Sequence, residues 1–228
     1  MDLDLFNEHV WRILISARPR DSVSAVSKRI GLSYGWTYKW VNELAKEGVF
    51  KRKSKGGKGV ELNEENRVYR RFLDFFRKTA EDSVSLHYSV LELFGLKYAL
   101  TESDAVFAWT KGGYNVSRSR IHYPIFLKVK RDDLNLWRYY FKKLGFKAST
   151  TRNNAAGNGI FFVLRPQKDF AVEFVDGVGG VGGVPVVPLK EALRFMKKYE
   201  YNFSPALEAI GRERGFAVKK YAEASLYA

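Results

Sequence analysis

Ser22-Val-Ser-Ala-Val-Ser-Lys-Arg-Ile-Gly-Leu-Ser33 runs directly into Tyr34-Gly-Trp-Thr-Tyr-Lys-Trp-Val-Asn-Glu-Leu-Ala-Lys46, and these two stretches decide how the front of the chain folds. Asp21 or Ser22 offers a side-chain oxygen to the free N–H groups at a helix start, so a helix is expected over 23–30. Gly31 can adopt the left-handed conformation that closes such a helix. Ser33 is the next cap and opens a helix from about 34 to 46, which stops at Gly48. Ala25, Val26, Ile30 and Leu32 supply the small and apolar positions through which the two helices pack, and Val41, Leu44 and Val49 continue that core.

Working outward, apolar residues recur at helical spacing over 3–17 (Leu5, Phe6, Val10, Ile13, Leu14), ending before Pro19. Downstream, strands are expected at 49–53 and 59–63, joined by Ser54-Lys-Gly-Gly-Lys58, whose paired glycines tolerate the positive φ of a hairpin turn. Residues 51–58 of this hairpin hold five cations, Lys51, Arg52, Lys53, Lys55 and Lys58, with no acid among the eight. Like charge concentrated on a thin tip is what attraction to phosphate explains. The start of the helix before it carries Ser33, Tyr34, Trp36, Thr37, Tyr38 and Lys39, the candidates for contact with base edges; Trp40 is expected to pack inward.

The order helix, helix, turn, helix, basic hairpin resembles the winged helix-turn-helix domains of bacterial and archaeal regulators over about residues 1–63. That resemblance implies a third helix lying in the major groove of duplex DNA, with the hairpin along phosphates.

An amphipathic helix over 64–78 reads as a connector or a dimer face, followed by a helix at about 83–94 ending at Gly95. Beyond it, short strands at 98–100, 124–129, 159–164 and 171–175 alternate with helices at 103–109, 132–144, 188–199 and 205–213. The expected class is therefore α+β: a winged helix-turn-helix domain (1–63), a helical connector (64–83) and an α/β domain (84–228). Tyr98-Ala-Leu-Thr-Glu-Ser-Asp-Ala-Val-Phe-Ala-Trp109 resembles the opening of a nucleotidyltransferase fold. That family has a Gly-Ser turn after its first strand and an Asp-x-Asp pair on the next, which holds two metal ions. Here Ser103 matches, Glu102 stands where the glycine belongs, and Ile121-His-Tyr-Pro-Ile-Phe-Leu-Lys-Val-Lys130 carries no carboxylate. Glu173 and Asp176 can stand for a third acid but cannot hold two metals by themselves. No catalytic residues, metal site or cofactor are expected.

A winged helix followed by a degenerate nucleotidyltransferase-like domain is similar to the AbiEi antitoxin family. The segments that carry this are Ala99-Leu-Thr-Glu-Ser-Asp-Ala105 and Val184-Pro-Val-Val-Pro-Leu-Lys-Glu-Ala-Leu193. The likeness implies operator binding by the N-terminal domain and repression of its own operon.

Bulk composition fits. The chain of 228 residues has 39 Lys and Arg against 25 Asp and Glu, a formal charge of +14 that favours polyanionic partners. It has no cysteine, which excludes disulfides, zinc fingers and thiol catalysis. No apolar run is long enough to span a bilayer, and Met1-Asp2-Leu3-Asp4 is acidic where a signal peptide is cationic, so a cytoplasmic protein without membrane contact is expected. Few Met and many charges lean towards an archaeal or thermophilic source. His9, His87 and His122 show no metal-ligand spacing. The glycine-rich run after Asp176 lacks the Gly-Lys-Ser/Thr of a phosphate loop and reads as a hairpin loop. Lys111, Arg118 and Arg120 lie in a stretch free of acids and are candidates for a second DNA contact. The expected function is sequence-specific duplex-DNA binding that controls transcription. Alternatives are an antitoxin or adaptor whose C-terminal domain binds a toxin or a basal transcription factor, an active nucleotidyltransferase, and, for assembly, a homodimer.

Overall fold

The computed structural model describes residues 7–52, 59–116, 118–119, 121–151, 158–176 and 183–215. The fold is α+β, and compactness divides the chain into one unit of residues 1–96 with 136–146 and another of 97–135 with 147–228.

In the first unit α1 (Glu8–Ser16) starts at Asn7, whose side chain accepts from the His9 N–H. β1 (Arg20–Ser22) leads into α2 (Val23–Ile30), capped by Ser22, whose Oγ accepts from the Ala25 N–H at 3.1 Å, and closed by Gly31 at φ 67°. α3 (Tyr34–Lys46) is capped by Ser33 through the Trp36 N–H at 3.3 Å. β2 (Phe50–Arg52) and β3 (Gly59–Leu62) form the hairpin, and β1 adds to the far side of β3, giving the antiparallel order β1-β3-β2. Val10, Ile13, Leu14, Val26, Ile30, Val41, Leu44 and Val49 fill the core between them. β1 was not expected: three polar residues show no alternation, and only pairing with β3 makes them a strand.

α4 (Arg67–Ala80) is capped by Asn66, and α5 (Val84–Ser89) is followed by a 3₁₀ turn over Leu91–Phe94 that ends at Gly95, φ 59°. The continuous helix expected at 83–94 is thus two pieces. Residues 64–96 are integral to this unit, because Trp11 of α1 meets Phe72, Phe75 and Phe76 edge-on. The helix Leu134–Leu144 also contributes from residue 136 onward: Tyr140 stacks on Phe94 at 4.3 Å, and Trp137 and Phe141 meet the same ring. These aromatic contacts join residues far apart in sequence within the one unit.

The second unit contains β4 (Tyr98–Leu100), α6 (Glu102–Trp109) and β5 (His122–Lys130). The helix Leu134–Leu144, α7, connects onward to β6 (Lys147–Ser149), β7 (Gly159–Gln167), β8 (Glu173–Val175), β9 (Val184–Val186), α8 (Leu189–Lys198) and α9 (Glu200–Arg214). The sheet order is β6-β7-β5-β4-β9-β8. β5 and β7 run parallel in register from His122↔Gly159 to Lys130↔Gln167. Their middles, Ile125–Leu127 and Ile160–Leu164, are almost wholly buried, as strands covered on both faces are. β4 pairs antiparallel with β5 and parallel with β9. β6 and β9 were not anticipated; Pro185 within β9 reads as a loop residue until its pairing with β8 is known. Among the described residues no helix is long and apolar enough to cross a membrane.

Candidate nucleic-acid interface

Helix α3 stands out from the first unit by what it leaves exposed. Ser33, Tyr34, Trp36, Tyr38 and Lys39 all face solvent, the three aromatic rings being 49%, 51% and 40% exposed. Large aromatic surface left in water on one helix face is uncommon without a partner. The rings are held in place. Tyr34 and Tyr38 stack with centroids 5.9 Å apart, and Trp36 lies 5.9 Å from the His9 ring with the Lys39 Nζ 4.8 Å above it. Trp40 is buried, as expected.

Thr37 must be removed from the base-contacting set. It is fully buried, and its hydroxyl donates to the Ser33 carbonyl at 2.9 Å. The signal was in the sequence: positions 37, 40, 41 and 44 share one helical face, and the other three of them are apolar.

Lys51 and Arg52 are exposed on β2. Lys53, Lys55 and Lys58, the remaining hairpin cations, lie outside the described residues. Arg52 reaches back to α3, donating to the Tyr38 hydroxyl at 3.3 Å and to the Asn42 side-chain oxygen, with its guanidinium 5.5 Å from the Tyr38 ring. The Arg52 bond stabilises the ionised phenolate and so holds the Tyr38 hydroxyl below its ordinary value. The base of the hairpin and the exposed face of α3 are thereby tied into one surface. Asn42, which makes the tie, was not singled out in the sequence.

Beneath this surface the end of α1 is fixed by buried polar groups that the sequence did not reveal. Asp21 and Arg29 form a buried ion pair at 2.7 Å, and the same guanidinium donates to the Ser16 carbonyl at 2.7 Å. The Tyr140 hydroxyl donates to Ser16 as well, and the Lys143 ammonium donates to the carbonyls of Leu14, Ile15 and Ala17 at 2.7, 3.0 and 2.7 Å. Burial pushes the Lys143 pKa down to about 7. His87 is a core residue stacked on Phe146 at 4.2 Å, and burial lowers its pKa too.

In the second unit the proposed extra DNA contact breaks up. Arg118 is turned inward, its guanidinium 2.7 Å from the Asp104 carboxylate with both side chains almost completely buried. It therefore cannot reach phosphate, and the correction follows from burial: an unpaired guanidinium would be costly there, so it sits on an acid. Lys111 is paired with Glu213 at 2.6 Å on the surface, and Arg120 lies outside the described residues. Asp104 also accepts from the Phe126 N–H at 2.7 Å, so it ties α6 to β5. Glu102, in the position where the nucleotidyltransferase likeness has glycine, takes φ 52°, a left-handed conformation that glycine favours and a side chain occupies at a cost of about 1–2 kcal/mol. Its carboxylate pairs with Arg165 at 2.6 Å. Where the likeness requires acids, β5 presents Lys128, which pairs with Glu191. Among the described residues no three acidic or histidine side chains are grouped as metal ligands would be. The glycine-rich run is outside the described residues from 177 to 182; the flanking β8 and β9 pair as a hairpin.

No protein-family model matches the chain, and no curated protein or solved structure matches it.

Proposed function

We propose that this protein is a sequence-specific duplex-DNA-binding regulator of transcription. In this reading the first unit acts as a winged helix-turn-helix, and the second is a nucleotidyltransferase-like domain without catalytic function, an arrangement resembling the AbiEi antitoxins. One observation carries it: the first two turns of α3 project aromatic and cationic side chains into solvent beside the exposed Lys51 and Arg52 of the adjoining hairpin. A helix fits the major groove of B-form DNA, which is about 12 Å wide, and cations on a hairpin beside it fall at phosphate. The net charge of +14 supports the same partner. Catalysis is not part of the proposal, since metal-assisted nucleotidyl transfer needs carboxylates on adjacent strands and β5 has none.

Sheared DNA from the source genome, incubated with the purified protein and sequenced after capture, tests this directly. A regulator concentrates reads at a few discrete sites near promoters. Even coverage would mean sequence-independent binding, and the regulatory reading would then be wrong.

A further inference from the structure

The residues α3 exposes are an unusual set for reading bases. Hydrogen-bonded readout of the major groove is strongest from side chains that bond two edge atoms at once: Arg or Lys on guanine, Asn or Gln on adenine. Between Tyr34 and Val41 there is no Arg, Asn, Gln, Asp or Glu. Thr37, Trp40 and Val41 are buried, Asn42 is engaged by Arg52, and Glu43 is bonded to Lys46 at 2.8 Å. What remains is Lys39 and three rings.

Aromatic rings in a major groove have one feature to read by apolar contact, the C5 methyl group of thymine. The geometry suits this. Tyr34 and Tyr38 are stacked, Trp36 is bracketed by His9 and Lys39, and Tyr38 is bonded to Arg52, so the rings lose little freedom on binding. We infer, on the duplex-binding reading above, that the target site is thymine-rich and that Tyr34, Trp36 and Tyr38 recognise the C5 methyl groups of its thymines. Lys39 and the hairpin cations then supply attraction without sequence preference.

The full chain is taken through rounds of selection on a randomised duplex, and the enriched duplex is remade in two forms. One has uracil in place of thymine; the other has guanine lacking its major-groove ring nitrogen. Each contacted methyl that is removed should weaken binding about fourfold, so the uracil duplex should lose about tenfold or more. The altered guanine should change affinity by less than about twofold, since Lys39, held over the Trp36 ring, is assigned to attraction without sequence preference. Tyr34→Ala and Trp36→Ala truncate surface rings and should erase most of the thymine-over-uracil preference while keeping the salt dependence; Trp36→Phe should retain the preference. Equal affinity for thymine and uracil duplexes, binding without thymine enrichment, or a large loss on altered guanine overturns the inference and leaves duplex binding intact. A chain that binds no duplex at all refutes the duplex-binding reading and this inference with it.

Discussion

Lys143 shows how much a single side chain can decide. The last carbonyls of a helix lack partners within it, and an ammonium that reaches two of them, Leu14 and Ile15, together with that of the cap residue Ala17, closes the end of α1 from a distant point in the sequence. The cost is burial of a charge, which pushes the lysine pKa down to about 7 from 10.5. The folded chain therefore sheds this proton near pH 7, while the unfolded chain keeps it to about pH 10, so the unfolded state binds more protons in between and stability rises with pH across that window. Lys143→Met should cost about 3 kcal/mol, because buried carbonyls lose their donor. It should also abolish this component of the pH dependence. Urea unfolding of both proteins at a series of pH values reads the effect: the wild type should gain stability relative to the variant between pH 7 and 10, and parallel profiles would contradict the assignment. In sequence Lys142-Lys143 reads as the solvated face of an amphipathic helix, and nothing in the pattern says that the second lysine turns inward. Arg118 was equally illegible, since its acid partner Asp104 comes from another element. Thr37, by contrast, could have been assigned from its helical phase.

At the scale of elements, caps were the most legible feature. Ser22, Gly31 and Ser33 act where the sequence put them, because capping depends on local oxygen geometry and on the φ values glycine allows. Strands made by distant pairing were not: β1 needs β3, and β9 needs β4 and β8. Two glycines separate backbone strain from crowding. Gly31 has open space around a would-be Cβ, so Gly31→Ala should cost only the strain of its left-handed conformation, about 1–2 kcal/mol. At Gly95 the same strain applies, and an added Cβ would also collide with the Arg29 stem, disturbing its bonds to Asp21 and Ser16. Denaturant midpoints should therefore rank wild type above Gly31→Ala and Gly31→Ala above Gly95→Ala. Equal losses in the two variants would mean that Arg29 moves aside freely and that its ion pair contributes little.

On the scale of the whole molecule, composition favours a polyanionic partner, and the helix order is what puts the proposed contact on α3 and the hairpin. It could not show that α7 packs with the first unit, because an amphipathic period reveals that a face is buried but not against what. The surface proposed to bind duplex DNA is α3 with the base of the hairpin, and the salt dependence of binding tests it most directly. Fluorescence anisotropy of a labelled duplex across a range of salt concentrations should give log affinity falling linearly with log salt for the wild type. In a Lys51→Ala, Arg52→Ala double variant the slope should be shallower by about 1.8, because two phosphates are no longer neutralised and each accounts for about 0.9. A wild type that ignores the duplex, or a double variant that folds normally and keeps the wild-type slope, would contradict the account.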